Sequence, residues 1–468
     1  MTYRPRTDHA RLGDGFFDPV RAASFPEHIL RYRNQRTAAS VGLDDLTDAR
    51  WLDHFGRFTP LPGSFEQPLA LRYHGHQFQV YNPDLGDGRG FLFAQLEDRH
   101  GRLLDLGTKG SGRTPWSRGG DGRLTLKGGV REVLATAMLE ALRVDTSKSF
   151  SLVETGEELE RGDEPSPTRS AVLVRLSHSH IRIGTFQRLS YFKDIERLQR
   201  LLDYCVDTYY PDLSSEGDSQ RAARFLGAVA ERVAETGARW IAAGFVHGVL
   251  NTDNINITGE SFDYGPWRFL PSYDPAFTAA YFDEGGLYAF GRQPDVLAWN
   301  LTRLAECLLP LGEHGDLEAA LNRFWPAFQR AMWRAVLDRL ALEPEGDEAD
   351  GRFVAAVYEA LYATRAPYEQ FFFDWRGGPL SEQRSARSPA AEHYGAEAFA
   401  PLREMFVSRK PAAGHNLDHP YFARQRPRSM LIDEMEAIWA PIAESDDWSL
   451  FDTALVEIDE MRSAYSPI

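Results

Sequence analysis

The stretch His247-Gly248-Val249-Leu250-Asn251-Thr252-Asp253-Asn254, with Asp263-Tyr264-Gly265 shortly after it, decides how this chain is read. It gathers carboxamides and carboxylates into two short polar segments. Oxygen ligands of this kind suit a hard divalent cation such as Mg²⁺ or Mn²⁺, and a cation held by only one or two of them suits a polyphosphate. The plainer alternative is that Asn251, Asp253 and Asn254 only close a turn on the backbone. The Asp-Tyr-Gly downstream favours the first reading.

Working outward towards the N-terminus, a polyphosphate site also needs backbone donors that approach closely and at least one cation. Gly86-x-Gly88-Arg89-Gly90 lies between two strand-like runs, although alone it reads better as a plain hairpin turn. Lys109 ends a strand-like run, and Glu132 sits early in the helical stretch that follows. The order resembles that of protein kinases and aminoglycoside phosphotransferases, in which a strand lysine is held by a helix glutamate and a histidine-led loop precedes a metal-binding aspartate. By that resemblance Asn254 and Asp263 take the two metal-ligand places. The place of the kinase base, two residues after the histidine, is Val249, which accepts no proton; Asp253 is the available substitute. Arg175 and Arg182, with the arginines of the loop Gly110–Arg123, supply further cations for phosphate oxygens.

The surrounding text predicts an α+β, protein-kinase-like bilobal fold with a small β-rich N-lobe and a large helical C-lobe. Residues 1–65 read as an extension packed on the body, 66–189 as the N-lobe, and 190–468 as the helical lobe with a C-terminal elaboration. Strands are expected over Phe78–Tyr81, Gly90–Ala94 and Leu103–Leu106 as three consecutive antiparallel neighbours, and again over Ala171–Leu176 and Ile181–Phe186. Apolar residues from Val130 to Leu142 recur at helical spacing. Helices are further expected over Asp194–Val206, Arg221–Ala243, Asp295–Leu311, Leu317–Leu342 and Phe353–Tyr362, with surface loops at Glu343–Gly351 and Gly377–Pro389.

Bulk properties narrow the function classes. The 468 residues, 43% hydrophobic and 26% charged, are those of an ordinary globular protein. A formal charge of −16 disfavours a nucleic-acid partner. Cys205 and Cys307 are the only cysteines and both lie in apolar helical text, which excludes a disulfide framework and points to a reducing compartment. No apolar run is long enough to span a bilayer and no hydrophobic signal core opens the chain. A cytoplasmic monomer with no membrane partner is expected.

Several further pieces complete a pattern: Tyr73-His74-Gly75-His76-Gln77-Phe78, Leu85-Gly86-Asp87-Gly88-Arg89-Gly90, Lys109-Gly110-Ser111-Gly112-Arg113-Thr114-Pro115, Gly120-Asp121-Gly122-Arg123 and Val130-Arg131-Glu132. Together with the two segments quoted first, and with Trp299-Asn300-Leu301, they make the chain resemble the selenoprotein O family, the bacterial YdiU-type proteins, from about Tyr73 to Leu311. The resemblance implies a pseudokinase that binds ATP in a flipped orientation and acts as a protein adenylyltransferase, moving AMP to Ser, Thr or Tyr hydroxyls of proteins. It implies nucleotide contacts at Gly86, Gly88, Arg89, Lys109, Asp121, Gly122, Arg175 and Arg182. Glu132 becomes the partner of Lys109, Asp253 the proton acceptor, and Asn254 and Asp263 the ligands of Mg²⁺ or Mn²⁺.

The chain departs from the family pattern at Tyr73-His74-Gly75 and Phe78-Gln79, where Tyr-Gly-Gly and Phe-Gly are expected, and at Arg428-Ser429-Met430, where Arg-Asn-His is usual. Many members carry a selenocysteine or cysteine near the C-terminus; here Ser463-Ala464-Tyr465-Ser466-Pro467-Ile468 has neither. UMP transfer, kinase-type phosphotransfer and a silent nucleotide-binding scaffold remain the alternatives.

Overall fold

In the computed structural model, which describes residues 2–162, 164–214 and 219–467, the chain is a mixed α/β protein built on one large antiparallel sheet. Its strands are β1 (Pro5–Arg6), β2 (Phe17–Pro19), β3 (Ile29–Arg33), β4 (Leu69–Leu71), β7 (Leu92–Glu97), β8 (Leu103–Lys109), β9 (Leu124–Thr125), β10 (Lys148–Leu159) and β11 (Thr168–Ser177). The main path runs β2-β4-β7-β8-β11-β10-β3, with β1 on β7 and β9 on β11. Two small ladders lie apart from it, β5 (Gly75–Gln77) with β6 (Val80–Asn82), and β12 (Phe245–Val246) with β13 (Arg268–Phe269). Residues 1–65 thus supply three strands of the large sheet, and also α1 (Gln35–Ser40) and α2 (Asp48–Phe55).

The period of two along β8 and β11 divides the sheet into two faces. Leu104 and Leu106, with Val172, Val174 and Leu176, pack against Trp51 and Phe55 of α2. On the other face Lys109 pairs in register with Leu173, and Gly107 with Arg175. Lys109 and Arg175 are therefore diagonal neighbours pointing the same way, towards α3 (Leu126–Ala141). Thr125 starts α3 by accepting the Gly128 N–H at 3.1 Å. The buried face of that helix, Val130, Val133, Leu134 and Met138, also carries Glu132 into the interior.

Beyond β11 the chain is mostly helical. The helices are α4 (Ile183–Tyr191), α5 (Ile195–Tyr209), α6 (Arg221–Ala242), α7 (Gln293–Leu308), α8 (His314–Leu321), α9 (Phe324–Leu340), α10 (Asp347–Thr364), α11 (Tyr368–Asp374), α12 (Glu382–Arg387), α13 (Ala391–Gly395), α14 (Ala400–Ser408), α15 (Ile432–Ser445) and α16 (Ser449–Tyr465). The long α6 is strongly amphipathic and buries Phe225, Leu226, Val229, Val233 and Trp240. No helix among the described residues is long and apolar enough to cross a membrane.

Five sequence expectations need correction. Phe78–Tyr81 is not a strand of the large sheet: Phe78 and Gln79 sit at φ 50° and 62°, so the chain reverses inside that run and closes the β5–β6 hairpin. Ile181–Phe186 is not a strand either. Arg182 is extended only as the cap of α4, where its N–H donates to Thr185 Oγ1 at 3.2 Å. Leu317–Leu342 is two helices, because Pro326 fits the first turn of α9 but not the interior of one long helix. The stretch Gly377–Pro389 contains α12 and buries Ser381 and Ser385 instead of forming a surface loop. The expected loop Glu343–Gly351 ends early, since Asp347, Glu348 and Asp350 open α10, where carboxylates complement the helix N-terminus.

Candidate functional site

Lys109 ends a strand buried along its whole length and is itself only 6% exposed. Its ammonium instead meets Glu132 Oε2 at 2.7 Å and Asp263 Oδ1 at 3.0 Å. Arg175 repeats the arrangement from the next strand, with Asp263 Oδ1 at 3.0 Å and Glu132 Oε1 at 3.3 Å. Two cations and two carboxylates thus form a closed, charge-balanced square, which is what buried ions need in order to be tolerated. Burial pushes the Asp263 carboxyl upward, but Lys109, Arg175 and Arg182 outweigh that and hold it well below the usual carboxylate range.

Asp263 occupies the left-handed region at φ 65°, uncommon for a residue with a side chain. The preceding residue is tied down, since His247 Nε2 donates to Phe262 O at 3.1 Å. Phe262 in turn underlies Arg182, whose guanidinium stacks between it, at 5.2 Å, and Tyr73, at 4.2 Å. Arg182 also lies 3.4 Å from Asp87 Oδ1.

A cleft of about 440 Å³ opens in front of the square. Of the residues singled out from the sequence, Gly86, Gly88, Arg89, Lys109, Asp121, Gly122, Arg175, Arg182, Asp253 and Asp263 all line it. Glu132 stands behind Lys109 and Arg175 and touches the cleft only through them. Asn254 is the exception: it is not in the lining, and its Nδ2 donates to Val249 O at 2.9 Å. Asp253 is buried, and its Oδ1 has no hydrogen-bond partner. Burial raises its carboxyl to about 7, against the opposing pull of Arg182.

The glycine loop is shaped by the loop packed against it. A Cβ on Gly86 would lie 2.4 Å from Trp116 Cγ, and one on Gly88 2.9 Å from Trp116 O. Ser117 Oγ donates to Gly88 O, and Thr114 Oγ1 to Asp87 O, each at 2.5 Å. The two loops are therefore laced together into one wall. Arg89 and Arg118 rise from it with no ion pair among the described residues, whereas Arg123 pairs with Glu157 and Arg161 with Asp121.

Sequence reasoning missed Arg161, Tyr73 and Trp116 as parts of the cleft, and the hairpin β5–β6 as its cover. No local signal marks Arg161, which lies in an acidic loop. The hairpin is fixed by Asn251 and Thr252, for neither of which the sequence suggested this role: Asn251 Oδ1 accepts from Phe78 N–H and Tyr288 O–H, and Thr252 Oγ1 accepts from His76 N–H at 2.7 Å.

The whole chain, not the cleft alone, has recognisable relatives. It is 45% identical to a protein of Synechococcus elongatus over 97% of this chain and 94% of that one, and 46% identical to one of Gloeobacter violaceus over 96% and 93%. A Cereibacter sphaeroides protein is 41% identical over 80% of this chain and 77% of its own. All three are named protein nucleotidyltransferase YdiU. The family model described as protein adenylyltransferase SelO matches residues 1–459, and on that extent of agreement the chain belongs to the SelO family of nucleotidyltransferases.

Proposed function

We propose that this chain is a protein adenylyltransferase that moves AMP from ATP to Ser, Thr or Tyr hydroxyls of proteins and releases pyrophosphate. The observation that carries the reading is Asp253, a buried carboxylate with an unpartnered oxygen, facing a cleft in which Lys109, Arg175, Arg182, Arg89 and Arg118 gather. A triphosphate brings about four negative charges, and the unpaired guanidinia of Arg89 and Arg118 suit phosphate oxygens. In the same reading the sheet and the helical body form a protein-kinase-like bilobal arrangement. Lys109 with Glu132, the His247-led loop and Asp263-Tyr264-Gly265 support it, and Val249 in the place of the base makes it a pseudokinase.

Asp263, in the cleft lining, and Asn254, beside it but outside the lining, are donor types that suit a hard divalent cation. Asp263 would supply a carboxylate and Asn254 a carboxamide oxygen, its Nδ2 being taken by Val249 O. Mg²⁺ characteristically takes one or two protein ligands and completes its shell with phosphates and water. Mg²⁺ or Mn²⁺ held there would neutralise phosphate charge and orient the triphosphate. The chain's own work is then positional and electrostatic. Lys109 and Arg175, preset by Glu132, offset the charge that builds on the phosphates. Asp253 accepts the proton of the attacking hydroxyl, whose oxygen bonds to the α-phosphorus as the bond to the leaving pyrophosphate breaks.

ATP labelled at the α- or the γ-phosphate tests this. Label retained on protein from the α position only is the expected result; retention from γ only would show phosphotransfer instead. UTP run in parallel decides which base is preferred. The buried free thiols of Cys205 and Cys307 agree with a cytoplasmic setting.

A further inference from the structure

The hairpin β5–β6 covers the acceptor side of Asp253. A Cβ on Gly75 would lie 2.8 Å from Asp253 Oδ1, so the strand passes directly over the unpartnered oxygen and only a glycine leaves room there. A hydroxyl approaching Asp253 must come in beside this strand. Side chains alternate along β5, and paired residues across the hairpin share a face. Gly75 faces Asp253; Gln77, two residues on, lines the cleft; and Val80, paired with Gln77, shares that face. The other face, His76 with Tyr81, is occupied by Gln187 and Trp299.

On this side the hairpin orders its own polar side chains. Asn82 Nδ2 donates to Gln77 Oε1 at 3.0 Å, which orients the carboxamide, and Gln77 Nε2 makes no hydrogen bond among the described residues. Val80 is 70% exposed. Beside the hairpin tip Phe282 packs on Phe78 at 5.9 Å, and Phe282 and Tyr281 are 48% and 81% exposed. A free amide donor in the cleft lining, on a hairpin whose tip carries exposed apolar side chains, is unlike a solvated turn.

We propose that this surface is the acceptor-side wall of the site. It holds an extended segment of the protein substrate, with Gln77 donating to its main chain and Val80, Tyr281 and Phe282 receiving an apolar side chain. The inference rests on the adenylyltransferase reading and adds to it a substrate class. Gly75 to Gln77 spans roughly 7 Å and the cross-strand step to Val80 about 5 Å, while an extended peptide covers ~3.3 Å per residue. The preferred apolar residue therefore lies two or three positions from the modified hydroxyl.

The test uses the full-length protein, Mg²⁺, α-labelled ATP and synthetic decapeptides. Each peptide carries one Ser, Thr or Tyr and, two or three positions away, a leucine, a glutamate or a lysine. The leucine peptides should have the lowest KM. Val80→Asp, a change at an exposed position outside the charge square, should raise the KM of the leucine peptide about tenfold, lower that of the lysine peptide, and leave kcat and the KM for ATP unchanged. If the wild type labels itself or the peptides but Val80→Asp leaves every acceptor KM as it was, the acceptor wall is wrong and the function stands. Self-labelling with no peptide modified at any spacing overturns it equally. If the wild type transfers no α-label to any acceptor, both readings fall.

Discussion

The Lys109 ammonium stands 3.0 Å from the Asp263 carboxylate, although one ends a strand of the large sheet and the other follows a loop of the helical body. That contact joins the two halves of the site, and removing it isolates charges that burial tolerates only as a set. Lys109→Met should therefore lower nucleotide transfer at least 10²-fold and destabilise the fold by about 3–5 kcal/mol. Initial rates and a denaturant titration of the same variant check both.

Asp253 should set the acid limb of the rate profile. Its carboxyl, raised to about 7 by burial, must be ionised to accept a proton, so transfer should rise with pH through about 7 and level off above. Asp253→Asn should lose activity by about 10²–10⁴-fold and lose that limb, while binding of nucleotide, followed by fluorescence of a labelled ATP analogue, persists.

Glu260 gives a stability prediction free of the chemistry. It is buried, accepts the His178 N–H at 2.8 Å, and is raised to about 8 by burial and by Asp145. In the unfolded chain it ionises near the ordinary glutamate value of 4.5. Between these values the folded state binds more protons, so its stability falls as pH rises through that window. Glu260→Gln removes the penalty: its advantage over the wild type in urea midpoint should grow from pH 5 to pH 8 and then stay constant.

Gly86 should be replaceable only when Trp116 is also changed. Gly86→Ala drives a methyl group into the indole and should raise the KM for ATP several-fold by displacing the loop. In the double variant Gly86→Ala/Trp116→Ala the alanine should cost less than it does alone, and a double-mutant cycle on KM for ATP measures the coupling.

Chelation should stop transfer without unfolding. The square of Lys109, Arg175, Glu132 and Asp263 is charge-balanced by itself. EDTA should thus abolish labelling while leaving the circular dichroism spectrum unchanged, and added Mg²⁺ or Mn²⁺ should restore it.

The residues that line the cleft were more legible in the sequence than the scaffold that carries them. Lys109 and Asp263 were legible because they stand in kinase order, a strand-end lysine before a helix glutamate and an aspartate opening an Asp-Tyr-Gly turn, and Arg175 because it lies on a strand-like run among other cations. The α3 and α6 helices announced themselves by apolar spacing. By contrast β10 was not read as a strand, since Ser149 and Ser151 interrupt its apolar residues. Those serines are used internally: Ser149 meets Thr136 at 2.9 Å, and Ser151 accepts from the Trp51 indole N–H at 2.9 Å. Arg182 was misplaced because a cap residue is locally extended, and the Phe78 reversal because two non-glycine residues at positive φ go against the usual turn preferences.

The strands contributed by residues 5–33 have a practical bearing on how the protein can be handled. None of the cleft residues lies there, so trimming them off looks harmless on paper. Yet β3 covers one flank of β10 and β2 covers β4. A shortened version would keep every catalytic letter and expose raw sheet edges, the usual starting point for strand-to-strand clumping, and its inactivity would say nothing about the chemistry.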